Sequence, residues 1–353
     1  MQKVKAKIHL GNIRRNAEKF RALTGKKICA VVKANAYGHG AIAVVNALES
    51  VVDCFAVALI EEGLEIRGVT CGKDILVFTP PMTEEECFVL ASNGFIATVG
   101  DLRTAKLLSA VCKKYGTFIK VHVKVNTGMN RYGMNGSMLG KVCKFLQNDP
   151  FVSVEGIYTH LYDCSMETAR KQERLFLQFQ RIAKRYFSSI VAHLGGTYAA
   201  FLGNEAGGDM LRVGIGLYGY LPTSTPQRFK EMLCLEKGMS VYARVETERK
   251  VSFGGVGYGR PCLNKEIEAI QRLSVVRYGY ADGFLRQRKN GAFGWERHLN
   301  NLCMDVCLTR KERKGQWLPV LLDADETAKV TGTISYEVLC AATRRAEFVY
   351  DTE

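Results

Sequence analysis

The chemistry-bearing residues of this chain stand where apolar runs stop. The run ICAVV, residues 28–32, ends at Lys33, and ANAYGHG follows, with Tyr37 four residues on. Lysine is rarely buried unless it works or pairs. At the mouth of a buried strand it can form a Schiff base with a carbonyl, such as the aldehyde of pyridoxal phosphate. The plainer reading is a surface lysine in a strand-to-helix loop. Farther along, NTGMNRYG holds Arg131, Thr159 and His160 close another run, and AHLGGTYA carries Gly195, Gly196 and Thr197. Such glycines let backbone N–H groups approach an anion such as phosphate, and Thr197 adds a hydroxyl; otherwise they only make tight turns. Arg212 is embedded in the otherwise apolar LRVGIG. A guanidinium keeps its proton and only donates, so facing a pyridine nitrogen it would hold that nitrogen unprotonated. The alternative for Arg212 is an ion pair with a carboxylate inside the fold.

The elements that would position these residues recur along the first two thirds of the chain. Apolar runs at 28–32, 54–59, 75–78, 96–99, 118–125, 154–158, 190–194 and 211–217 have strand length. Amphipathic stretches alternate with them, at 40–49, 61–67, 83–91, 102–115, 139–147 and 167–187. This alternation predicts an α/β fold, an N-terminal (β/α)8 TIM-type barrel, whose working residues sit at the C-terminal ends of the strands. At LPTSTPQ the pattern changes. Strand-like runs at 239–245, 270–280 and 318–322, separated by glycine-rich turns, predict a C-terminal mainly β domain, with a short helical stretch at 336–343. The expected division is a barrel over 10–228 and a β domain over 229–353, to which residues 1–9 add a strand.

Composition narrows the function classes. Of 353 residues, 47% are hydrophobic and 24% charged, ordinary for a globular protein. The net charge of +14 comes from dispersed basic residues without an aromatic-studded stripe. Positive potential for small anions is therefore expected rather than nucleic-acid binding. The 12 cysteines contain no CxxC pair, and no metal-ligand spacing occurs, so no metal is expected. The beginning of the chain lacks an apolar signal core and no run is long enough to span a membrane, so a cytoplasmic location is expected.

VVKANAYGHG, NTGMNRYG, RVGIGLYG, GYG, GYADG, CMD and YEVLC, in this order, resemble the signature blocks of alanine racemases over about residues 6 to 345. The resemblance implies pyridoxal 5'-phosphate as cofactor and a homodimer with shared active sites. It implies interconversion of L-alanine and D-alanine by two bases, supplying D-alanine for cell-wall peptidoglycan. Lys33 matches the Schiff-base lysine and first base. Tyr258 matches the second base, contributed by the other subunit. Arg212 matches the arginine on the pyridine nitrogen, and His160 the histidine linking it to the tyrosine. Tyr37, Thr197, Gly214, Ile215 and Tyr336 match the cofactor phosphate set. Arg131 and the backbone of Met304 match substrate-holding groups, with Asp305 beside them. Lys124 matches a lysine that is carbamylated in many members and supports the arginine. Tyr280 and Arg286 match residues at the entrance. Departures from the family pattern are Asn126 for aspartate, Thr197 for serine, Gly257 for serine and Val306 for glutamine. They remove no group the chemistry needs, but leave open a serine or broad-specificity racemase. A barrel-type amino-acid decarboxylase would place an acid at the pyridine nitrogen, which Arg212 opposes. A cofactor-binding protein without turnover would lack the β domain and Tyr258.

Overall fold

The computed structural model describes residues 3–70, 72–163, 165–202, 208–223, 225–250, 258, 272–284, 302–310 and 312–352. These form two compact units: residues 13–36 with 41–236, and residues 1–12, 37–40 and 237–353.

The first unit is an eight-stranded parallel sheet in the order β8-β7-β6-β5-β4-β3-β2-β9. Its strands are β2 (Lys27–Val31), β3 (Cys54–Val57), β4 (Ile75–Val77), β5 (Ile96–Val99), β6 (Ile119–Lys124), β7 (Val152–Tyr158), β8 (Val191–His193) and β9 (Met210–Val213). They are short and mostly buried on both faces, as parallel strands covered by helices must be. At the seam, the Asp209 backbone N–H donates to the Ala192 carbonyl at 2.7 Å, and the Ala192 N–H donates to the Asp209 carboxylate at 2.8 Å. The result is the expected barrel. Several predicted runs are shorter as strands, most clearly the eighth, which ends at Val213 because Gly214 turns the chain into a 3-10 turn at Ile215–Tyr218.

The helices of this unit are α1 (Leu10–Thr24), which begins in the other unit, then α3 (Ala41–Leu48), α4 (Ile60–Arg67), α5 (Glu84–Ser92), α6 (Leu102–Tyr115), α7 (Gly136–Leu146), α8 (Met166–Lys184) and α9 (Gln227–Leu233). Local chemistry sets their starts. Asp101 accepts from the Thr104 N–H at 2.7 Å, and Asn135 from the Met138 N–H at 2.9 Å. The short helical segment α2 (Lys33–Gly38) directly follows β2 and differs in hand from all of these.

The second unit is a sheet in the order β12-β11-β10-β1-β14, with β13 also on β10. Its members are β1 (Val4–His9), β10 (Met239–Lys250), β11 (Arg272–Val276), β12 (Cys307–Arg310), β13 (Trp317–Leu321) and β14 (Glu347–Asp351). The N-terminal strand β1 lies between antiparallel β10 and parallel β14. Two helices of this unit, Ala324–Thr331 and Ser335–Ala342, pack against each other. The first was not expected from periodicity. It starts where the Asp323 carboxylate accepts from the Asp325 N–H at 2.8 Å. Among the described residues, no helix is long and apolar enough to cross a membrane.

Candidate active site

Lys33 opens α2 at the C-terminal end of β2. After it, Ala34, Asn35, Ala36 and Tyr37 have φ of +52°, +52°, +52° and +54°, and Gly38 has +80°. This is a left-handed helical turn built largely from residues with a Cβ. Each such residue costs about 1–2 kcal/mol relative to the right-handed conformation. Three bonds hold its first half. The Ala36 N–H donates to the Val32 carbonyl at 2.8 Å, and the Ala34 N–H to Glu62 Oε1 at 2.6 Å. The Asn35 side-chain oxygen accepts from the Ala41 N–H at 2.7 Å, capping α3. In the second unit, Tyr37 packs against Tyr336 with ring centroids 6.0 Å apart. There, a Cβ on Gly38 would lie 2.5 Å from the Leu339 carbonyl oxygen, so only glycine fits.

Arg212, on β9, is 2% exposed. Its Nη1 donates to His193 Nδ1 at 2.7 Å and to the His193 carbonyl at 2.9 Å; its Nη2 donates to the Thr159 carbonyl at 2.6 Å and faces His160 Nδ1 at 3.5 Å. Among the described residues no carboxylate pairs with it, and neutral acceptors take its hydrogen bonds there. Since arginine only donates, His193 accepts through Nδ1 and carries its proton on Nε2. That proton reaches His122 Nδ1 at 2.9 Å. Burial, and then the charge of Arg212, push His122 and His160 down to about 3, and His193 well below its ordinary range. All three rings are neutral, and Arg212 keeps the charge. Tyr158 stacks on His193 with centroids 4.9 Å apart and nearly parallel planes, and its ring lies 5.1 Å from the Arg212 guanidinium carbon. The Tyr158 hydroxyl donates to Thr98 Oγ1 at 2.7 Å, which in turn donates to the Val77 carbonyl.

Lys124, at the end of β6, is 6% exposed, and its amine lies 4.9 Å from the centroid of the Tyr158 ring. Burial pushes it from 10.5 down to about 7, with further lowering by Arg212, Arg131 and Lys33. Four cationic side chains therefore share one field at this end of the barrel. Arg131 is carried by a loop that Asn126 ties together. The Asn126 side-chain oxygen accepts from the Gly128 and Asn130 N–H groups at 3.0 and 3.1 Å, and its amide donates to the Asn130 side chain at 2.8 Å. The substitution for aspartate leaves these acceptor bonds in place and removes a negative charge from the field. Nearby, Thr197 Oγ1 accepts from the Gly216 N–H at 3.2 Å. Gly214 and Ile215 start the 3-10 turn that follows β9.

In the second unit, Tyr280 and Met304 lie on two loops joined by backbone bonds. The Tyr280 N–H donates to the Cys303 carbonyl at 3.2 Å, and the Ala281 N–H to the Met304 carbonyl at 3.0 Å. Arg345 clamps both loops, with Nε 2.8 Å from buried Asp282 and Nη1 2.9 Å from Asp305. Tyr258 is 62% exposed and Met304 52% exposed, both presented to solvent by this chain. Arg286 and Gly257 lie outside the described residues. The barrel thus brings Lys33, Lys124, Arg131, His160, Thr197, Arg212, Gly214 and Ile215 to one unit. Tyr37, Tyr258, Tyr280, Met304, Asp305 and Tyr336 belong to the other. Sequence reasoning missed His193, His122, Tyr158 and Glu62. The period-two spacing of His122 with Lys124, and the place of His193 at a strand end, were the available signals.

Residues 8–222 match the family profile of the alanine racemase N-terminal domain, and residues 238–350 that of the C-terminal domain. The chain belongs to the alanine racemase family. An alanine racemase of Lactobacillus delbrueckii subsp. bulgaricus is 31% identical over 98% of this chain and 97% of its own length. The solved alanine racemase of Clostridium difficile 630 is 29% identical, with a TM-score of 0.87 over 100% of this chain and 96% of that one. A third, from Bartonella henselae, 24% identical with a TM-score of 0.82 over 99% and 100% of the two chains, is described with covalently bound pyridoxal phosphate. The family makes this chain an enzyme, an isomerase of amino acids.

The donor set fits such a cofactor. A buried guanidinium whose partners among the described residues are neutral acceptors, beside a second buried cation and an exposed arginine, leaves a field that an anion would complete.

Proposed function

We propose that this chain interconverts L-alanine and D-alanine as a homodimer with pyridoxal 5'-phosphate, the two bases standing on opposite faces of the substrate. The observation that carries the reading is Arg212, buried and charged, with neutral partners among the described residues. The cofactor, when bound, supplies an aldehyde for an amine and a conjugated ring that withdraws electrons from the α-carbon. Lys33 is the residue that would carry it, and Arg212 would donate to its ring nitrogen and hold that atom unprotonated. Thr197, Gly214, Ile215, Tyr37 and Tyr336 would hold its phosphate. Arg131 and the Met304 backbone would orient the substrate carboxylate. Lys33 exchanges the α-proton on the face that D-alanine presents, and Tyr258 of the second subunit on the face that L-alanine presents. The exposure of Tyr258 on its own chain agrees with service to another subunit. Tyr280 and Arg286 would frame the entrance, and Asp305 would lie beside Met304 in the wall that the second subunit supplies. The role is supply of D-alanine for cell-wall peptidoglycan, from the cytoplasm.

The test is exchange of the α-proton in heavy water, followed for each enantiomer. Wild type should label both. Tyr258→Phe should lose at least a hundredfold in racemisation while pyridoxal phosphate remains reducible onto Lys33 by borohydride. Full activity of Tyr258→Phe, or of a strictly monomeric variant, overturns the reading.

A further inference from the structure

Two glutamates of the barrel do the same local work. Glu86, at the third position of α5, accepts through Oε2 from the Met82 and Thr83 N–H groups at 2.6 and 3.2 Å. Glu62, at the third position of α4, accepts through Oε2 from the Ala58 and Leu59 N–H groups at 2.7 and 3.0 Å. Each carboxylate satisfies amide donors that a helix start leaves open. The two differ in the second oxygen. That of Glu62 reaches across from β3–α4 to β2–α2, where it accepts from the Ala34 N–H at 2.6 Å. Ala34 is the residue after Lys33 and the first with a positive φ.

We propose that Glu62 is a positioning residue for Lys33, holding the left-handed turn from which the catalytic amine projects. The proposal rests on Lys33 being the cofactor lysine and a base. The physical argument is as follows. A left-handed turn that includes Ala34, Ala36 and Tyr37 is not a conformation such residues take by themselves. The backbone N–H of Ala34 needs an acceptor in that conformation, and a carboxylate is a strong one. The same carboxylate is fixed from behind by two N–H groups of a rigid strand–helix junction. The direction of the Lys33 side chain is thereby referred to the barrel wall, through a group that itself touches no reacting atom. A neutral amide in place of the carboxylate would turn an NH2 toward one set of N–H donors. Either the cap or the turn would then lose its acceptor.

The experiment compares Glu62→Gln with Glu86→Gln in the holoenzyme. Both variants lose a helix cap, so both should show similar falls in thermal midpoint. Glu86→Gln should keep kcat within twofold of wild type. Glu62→Gln should lose at least tenfold in kcat with KM for alanine changed less than threefold. Under limiting pyridoxal phosphate, borohydride reduction and peptide mapping should find several times less label on Lys33 than in Glu86→Gln. Adding Ala34→Gly to Glu62→Gln removes the Cβ that opposes positive φ and should recover part of both losses. If Glu62→Gln does not fold, Glu62→Asp, which keeps the charge but shortens the reach, takes its place with the same expected split. Equal kcat and equal Lys33 labelling in the Glu62 and Glu86 variants overturn the proposal. Label on another lysine in wild type overturns instead the reading of Lys33 on which it rests.

Discussion

Lys124→Met tests the electrostatics of the site at its sharpest point. The substitution keeps an unbranched stem of similar length and deletes the amine. Burial and three neighbouring cations bring Lys124 from 10.5 to about 7 in the folded protein. That gap corresponds to about 5 kcal/mol of penalty on the protonated form. The sign follows from proton counting. The folded state binds the Lys124 proton less tightly than the unfolded chain does, so stability falls with falling pH wherever the unfolded chain is protonated and the folded one is not. No penalty exists above about 10.5; it grows as the pH falls toward 7, and it is full and constant below that. At pH 9 it is about 2 kcal/mol and at pH 6 nearly 5, so the variant should gain about 2–3 kcal/mol more at pH 6 than at pH 9. Equilibrium urea unfolding of cofactor-free protein in carbonate-free buffer measures this difference. A stability difference that is the same at both pH values would refute the argument that Lys124 is buried beside other cations.

Two further outcomes follow from packing and pairing. A Cβ on Gly216 would lie 2.6 Å from the Phe20 ring and 2.8 Å from Thr197 Cγ2. Gly216→Ala should therefore destabilise by about 1–3 kcal/mol in thermal or urea unfolding and weaken pyridoxal phosphate retention through Thr197; unaltered retention would sever Thr197 from the phosphate. Asp282 is buried, accepts from the Gly279 N–H at 2.8 Å and pairs with Arg345. Asp282→Asn should cost about 2–4 kcal/mol by leaving charge imperfectly paired, and a loss under 0.5 kcal/mol in urea unfolding would count against the clamp.

Much of the barrel was legible because each strand is a continuous apolar run and each helix has one apolar stripe. The site was legible where a polar residue interrupts such a run, as Lys33, His160 and Arg212 do. The helix Ala324–Thr331 was not, because its start depends on a side-chain cap rather than on periodicity. The strands Cys307–Arg310 and Glu347–Asp351 were not read as strands either. The latter is largely exposed and draws its stability from pairing with β1, the opposite end of the chain. Tyr258 came from resemblance alone, since no periodicity marks it.

By itself the sequence determined which residue types end which strands, among them the amine of Lys33, the imidazole of His160 and the guanidinium of Arg212. Side-chain chemistry and hydrophobic period are properties of short stretches, so they can be read without coordinates. The folded structure decided their state. Arg212 keeps its charge among neutral partners, Lys124 is pushed close to neutrality, and the turn after Lys33 is left-handed. Each depends in part on groups distant in sequence that only the fold brings within a few ångström, as with Glu62 and Ala34, or Thr159 and Arg212. Burial then gives those encounters a strength that water would have screened away.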